Sequence, residues 1–123
     1  MNSVNFTVPF AAAWKRVKQG RQGTAYNPSS KDEKIIAQYA LVARVAAQLP
    51  VWQGPCHVHV TFYGLEADVD NALKLCLDGM NGIVYQDDSQ VILATVQKIA
   101  AAENQRMDIE VEALAEPEGK QGT

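Results

Sequence analysis

A chain of 123 residues, 47% hydrophobic and 20% charged, has room for one folding unit with a core of useful size and little more. No apolar run approaches the ~20 residues of a membrane-spanning helix, and MNSVNFTVPF lacks the charged start and apolar stretch of a secretory leader, so a cytoplasmic protein with no membrane partner is expected. A net charge of −3 and a pI near 5.3 weigh against a polyanion partner. The distribution weighs the other way. Before residue 60, Lys15, Arg16, Lys18, Arg21, Lys31, Lys34 and Arg44 oppose only Asp32 and Glu33, a balance of +5. Beyond it, Lys74, Lys98, Arg106 and Lys120 face twelve acids, a balance of −8, which suggests a polyanion site beside an acidic one.

Phe6, Val8 and Phe10 alternate with small or polar residues and predict a first strand. In AAAWKRVKQGRQGTAYNPSS, Gly20, Gly23 and Asn27-Pro28 break any regular pattern, which predicts a loop carrying Lys15, Arg16, Lys18 and Arg21 with Trp14 and Tyr26. Cations can neutralise phosphates and aromatic faces can stack on unpaired bases, so this loop is a nucleic-acid arm or a solvated surface loop. Ser30 and Glu33 form a capping-box pattern, after which Ile35, Ile36, Tyr39, Val42, Ala43, Ala46 and Leu49 recur at helical spacing, predicting a helix over Lys31 to Gln48. From Cys56 to Tyr63, Val58, Val60 and Phe62 alternate with His57, His59, Thr61 and Tyr63, the two-residue period of a half-buried strand. The HxH spacing of His57 and His59 suits a metal, but no third ligand of matching type stands near in sequence, so a polar strand face is expected. Cys56 and Cys76, isolated and without CxxC spacing, read as small buried hydrophobes.

The segment ADVDNALKLCLDGMNGIVYQDDSQV gathers carboxylates around one lysine. Asp68 and Asp70, two apart in an extended lead-in, are expected to point the same way with α-carbons about 7 Å apart. Asp70 or Asn71 suits a helix N-cap, with Leu73, Cys76, Leu77 and Met80 as the apolar face and Asn81-Gly82 as the stop. Asp70, Lys74 and Asp78 stack at i,i+4, where ordinary pairing worth a few tenths of a kcal/mol is a sufficient explanation. The turn QDDSQ presents Asp87 and Asp88 before an apolar run, Val91 to Ile99, that predicts another strand. A final strand should carry Glu110 and Glu112, followed by a disordered tail over residues 116–123. An EF-hand starting at Asp68 fails, because Ala72, Leu73 and Gly79 stand where an oxygen ligand, a glycine and a glutamate are required. Glycine-rich phosphate loops and the GxSxG elbow are absent. Carboxylates from two elements beside a lysine suit magnesium, which takes one or two carboxylates, several waters and substrate phosphate oxygens.

DVDN, Lys74 and the run LDGMNGIVYQDDSQV resemble the signature of the RusA family of Holliday junction resolvases, in which a DxDN segment is followed by a lysine four residues after its second Asp and by a DD-x-Q-V turn. The match is dense from Asp68 to Val91, and the VPF strand, basic loop and AYNP step resemble the family's N-terminal half. The resemblance implies a small single α/β (α+β) domain over residues 1–115, with a mixed β-sheet packed by two helices and acting as a homodimer. It implies catalytic, metal-holding aspartates at Asp68, Asp70 and Asp88, a functional lysine at Lys74, Mg²⁺ with Mn²⁺ as a substitute, and branched DNA, a four-way junction, as the partner in recombination and repair. A bacterial or phage-encoded cytoplasmic enzyme is expected. Leu65-Glu66-Ala67 stand where members often carry basic residues, so Lys15, Arg16, Lys18 and Arg21 become the DNA-binding candidates, joined by Lys31, Lys34 and Arg44 if their helix faces the same side. Asp87 would support the metal site and Asp78 would pair with Lys74. A non-catalytic branched-DNA-binding protein would need only the loop, and a Mg²⁺-dependent hydrolase of small phosphate esters only the carboxylates.

Overall fold

Strong period-two alternation in Cys56–Tyr63 produces the strand around which everything else is arranged. The computed structural model describes residues 3–9, 18–19, 25–26, 29–65, 68–100 and 105–114. In chain order its elements are β1 (Ser3–Val8), β2 (Lys18–Gln19), β3 (Ala25–Tyr26), α1 (Ser29–Ala46), β4 (Cys56–Tyr63), α2 (Val69–Met80), β5 (Val91–Ile99) and β6 (Arg106–Ala113). A four-stranded sheet has the order β1-β6-β4-β5, while β2 and β3 form a separate two-residue antiparallel pair. β4 is antiparallel to β6 and parallel to β5, because α2 carries the chain back across the sheet before β5 begins. The result is a small α+β domain with a mixed sheet and two helices. No described helix is long and apolar enough to cross a membrane.

Val58, Val60 and Phe62 of β4, Met107, Ile109 and Val111 of β6, and Val4 and Val8 of β1 are buried together with helix residues Ile36, Ala40, Ala72, Leu75, Cys76 and Met80. Both helices therefore cover one face of the sheet. The other carries His57, His59, Thr61 and Tyr63 beside Asp108, Glu110 and Glu112. Cys56 and Cys76 are fully buried, and loss of solvent pushes their thiols up to about 11 and about 12, so both stay protonated and inert.

α1 differs in detail from the pattern in its sequence. Its inward residues are Ile36 and Ala40, with Ile35, Ala43 and Leu49 at the margin, whereas Tyr39 and Val42 are exposed. α1 and α2 approach closely: a Cβ on Gly79 would lie 2.9 Å from Ile36 Cγ2 and 3.1 Å from the Glu33 carbonyl. The helices thus touch at Ile36 and Gly79, while Tyr39 and Val42 lie outside the core. Arg44 is also committed elsewhere, donating from Nη1 to the Leu49 carbonyl at 2.8 Å where α1 ends. This makes it a helix-end brace.

Candidate active site

The cap of α2 stands two residues before Asp70 and three before Asn71, the two expected positions. Asp68 is the N-cap, extended at φ −72° and ψ 143°, and its carbonyl accepts from Ala72 N at 3.1 Å. Its side chain forms no capping bond, so the carboxylate stays exposed. Asp70 lies in the first turn, exposed, and accepts from Asn71 N at 3.0 Å. Both carboxylates thus sit at the positive end of the helix, but on a helical turn rather than along a strand, because Val69 already has helical backbone.

Lys74 does not complete the expected three-residue stack. Its Nζ lies 3.3 Å from Asp78 Oδ2, while the Lys74 side chain is 73% exposed, an arrangement worth at most about 1 kcal/mol. Glu33 of α1 shares this neighbourhood: burial first, then repulsion from Asp78, raises its carboxyl above the usual range, and Lys74 offsets part of the rise. The buried Tyr85 donates its hydroxyl to the Leu77 carbonyl at 2.9 Å. Its phenol is pushed up by burial foremost, then by Cys56, Asp88, Cys76 and Asp78.

QDDSQ divides its residues between structure and exposure. Asp87 caps the 3-10 turn Asp88–Gln90, accepting from Ser89 N at 3.0 Å, and Asp87 N donates to Gln90 Oε1 at 2.9 Å. Those hydrogen bonds hold the Asp87 carboxyl below its ordinary value. Gln90 Nε2 donates to the carbonyls of Trp52 and Gly54 at 2.9 and 2.8 Å, fastening the turn to the segment that leads into β4. Asp88 makes no side-chain hydrogen bond or ion pair among the described residues. Asp68 and Asp70 open α2, whereas Asp88 lies past its other end, and a 12-residue helix is about 18 Å long. The structure brings Asp68 together with Asp70 and Lys74 together with Asp78, and it keeps Asp88 apart from the first pair.

The strand pairing supplies the third ligand that the HxH pair lacks in sequence. His57, His59 and Glu112 have potential ligand atoms within 4.8 Å of one another, and no other trio of this kind occurs among the described residues. Of the basic loop, Lys18 lies in β2, paired with Tyr26; Trp14, Lys15, Arg16 and Arg21 lie outside the described residues, as do Phe10 and the 116–123 tail.

The family model for endodeoxyribonuclease RusA matches residues 7–112, which includes every element from α1 to β6 nearly to its end. The chain belongs to the RusA family. It is an enzyme of a junction-resolving endonuclease family, acting on DNA phosphodiester bonds. No curated protein matches it. Within this RusA-family chain, the DxDN and DD-x-Q segments fall on the opening of α2 and on the capped turn before β5.

Proposed function

We propose that this enzyme is a Mg²⁺-dependent, two-fold dimeric resolvase of four-way DNA junctions, in which Asp68 and Asp70 of one copy act with Asp88 of the partner subunit. The observation that carries the reading is the opposed placement of the acids along the open edge of the sheet. β5 is an edge strand, with Ile92 66% and Leu93 52% exposed. An apolar edge unpaired among the described residues invites pairing with another chain, and closed two-fold symmetry is the commonest outcome. Antiparallel pairing of β5 with its copy would set the partner's Val91 opposite Ile99. The Ile99 carbonyl accepts from Gly64 N at 2.9 Å, four residues before Asp68, so the partner's Asp88 would arrive at the end where Asp68 and Asp70 open α2. Each acid pair would then gain its third carboxylate from the other chain.

The donor set suits the metal. All three side chains offer hard oxygen ligands at solvent-facing or half-exposed positions, and neither Asp68 nor Asp88 spends its carboxylate on a side-chain hydrogen bond or ion pair among the described residues. Bound there, Mg²⁺ would supply an acidified water and offset charge on the scissile phosphate and leaving oxygen. Lys74, only weakly held by Asp78, can turn its ammonium to a phosphate oxygen as charge develops. Lys15, Arg16, Lys18 and Arg21 would contact the DNA backbone and compensate for an acidic chain. Two sites per dimer give the paired cuts that resolve a junction into duplexes. The setting is the cytoplasm of a bacterial or phage-infected cell.

Asp70→Asn preserves shape and removes charge, so junction cleavage in Mg²⁺ should fall by orders of magnitude while junction binding persists. Replacing the four loop cations with Ala should instead weaken binding and flatten its log-log salt slope by about 0.9 per lost contact. Wild-type cutting by Asp70→Asn would refute the metal reading, and an unchanged slope would return the loop to plain solvated surface.

A further inference from the structure

We propose that His57, His59 and Glu112 bind a single zinc-class divalent cation on the open face of the sheet, independently of the acidic site on α2. The strand register creates the group. His57 and Glu112 are direct cross-strand partners on β4 and β6, and His59 follows two residues later on the same face. Glu112 Oε1 lies 3.6 Å from His57 Nδ1 and 3.7 Å from His59 Nε2. These gaps are too long for hydrogen bonds, so the three groups converge without satisfying one another. They are close to the ligand spacing of a tetrahedral zinc site, where bonds of 2.0–2.1 Å set donor atoms roughly 3.3 Å apart.

Both imidazoles are arranged for one ion. Their ring centroids are 3.8 Å apart at a 38° tilt, so each turns an edge nitrogen towards Glu112. His57 Nε2 lies 2.8 Å from Thr95 Oγ1 on β5. With a cation on Nδ1, Nε2 keeps its proton and donates to Thr95, the outer hydrogen bond that metal-binding histidines habitually make. Burial also suits the purpose: the side chains of His57, His59 and Glu112 are 13%, 38% and 29% exposed, which holds the ligands and leaves the fourth position to water. Imidazole nitrogen with one carboxylate selects zinc, cobalt or nickel over magnesium, which prefers oxygen alone. The ion would fasten β4 to β6, the two central strands.

The test uses the full chain freed of metal by chelator. Titrated with Co²⁺, it should take up one ion per chain with visible ligand-field absorption, which Zn²⁺ displaces, and Zn²⁺ should raise the melting temperature. His59→Gln and Glu112→Gln should each weaken Zn²⁺ binding by more than the ~10–100-fold that losing an outer partner costs, and Thr95→Val should weaken it within that range. Asp68→Asn with Asp70→Asn should leave zinc stoichiometry and affinity unchanged, which separates this site from the acidic one. Absence of Co²⁺ bands in the wild-type chain, or bands that survive His59→Gln and Glu112→Gln unaltered, would overturn the proposal.

Discussion

A mixed dimer distinguishes acids shared between chains from acids gathered within one. Asp70→Asn and Asp88→Asn chains, carrying different affinity tags, can be co-expressed and taken through both tags so that only heterodimers remain. If Asp88 acts across the two-fold, one site of the heterodimer contains both substitutions and the other contains neither. That dimer should nick a cruciform plasmid at about half the wild-type rate, since closed two-fold symmetry gives one intact site in two. It should barely linearise the plasmid, because the opposed strand has no competent site. Either homodimer should be orders of magnitude slower. If the three acids act within one chain, both sites of the heterodimer carry a substitution and no activity returns. Neither change threatens folding, because Asp70 is exposed and Asp88 makes no side-chain bond among the described residues. A heterodimer as inactive as its parents would refute the shared site while leaving the Asp70→Asn test of metal dependence standing.

Gly79→Ala sets a gain of about 1 kcal/mol in helix propensity against overpacking of about 1–3 kcal/mol, because the new Cβ would sit 2.9 Å from Ile36 Cγ2; a net loss of about 1 kcal/mol in urea unfolding is expected, and net stabilisation would show that the helices part easily. Asp87→Ala should lower stability yet retain junction nicking wherever the protein remains folded, in contrast to Asp88→Asn. Because Asp87 is held below its ordinary value of 3.8 by hydrogen bonds from Ser89, its contribution is full above that pH and fades as pH falls through the lowered value; the stability difference between wild type and Asp87→Ala should shrink in acid, and a difference independent of pH would remove the charged cap from the account.

Local pattern reveals elements well and their mutual placement poorly. β4 has the bounds that alternation predicts, because every second residue is buried, and β5 has those that its apolar run predicts although most of it is exposed. The helix over Lys31 to Gln48 is found with its start two residues early at Ser29, but Tyr39 and Val42 cannot be told from core residues by spacing alone. The inward face is fixed by where α1 meets α2, at Ile36 against Gly79, 43 residues further along the chain. Arg44 reads as a free cation until the chain turns at Leu49 and supplies a carbonyl. Glu112 is the clearest case. It stands 53 residues after His59, and only the β4–β6 register makes them neighbours.

The same distinction explains the density of the acidic segment. Opening a helix, ending it and capping a 3-10 turn each favour an oxygen or amide side chain, and ADVDN, MNG and QDDSQ perform these tasks in sequence. Of the four aspartates in DVDN and QDDSQ, Asp87 is spent as a cap and Asp70 accepts one backbone bond, whereas Asp68 and Asp88 make no side-chain bond among the described residues. A carboxylate without such a partner contributes little to the fold, which leaves Asp68 and Asp88 available to the proposed metal site. Gln90 completes the logic: by holding the carbonyls of Trp52 and Gly54 it fixes the turn against the start of β4, and so fixes where Asp88 stands at the edge of the sheet. Asp87 and Gln90 are thus scaffold, and on the proposed reading Asp68, Asp70 and Asp88 are the reagents whose spacing that scaffold sets.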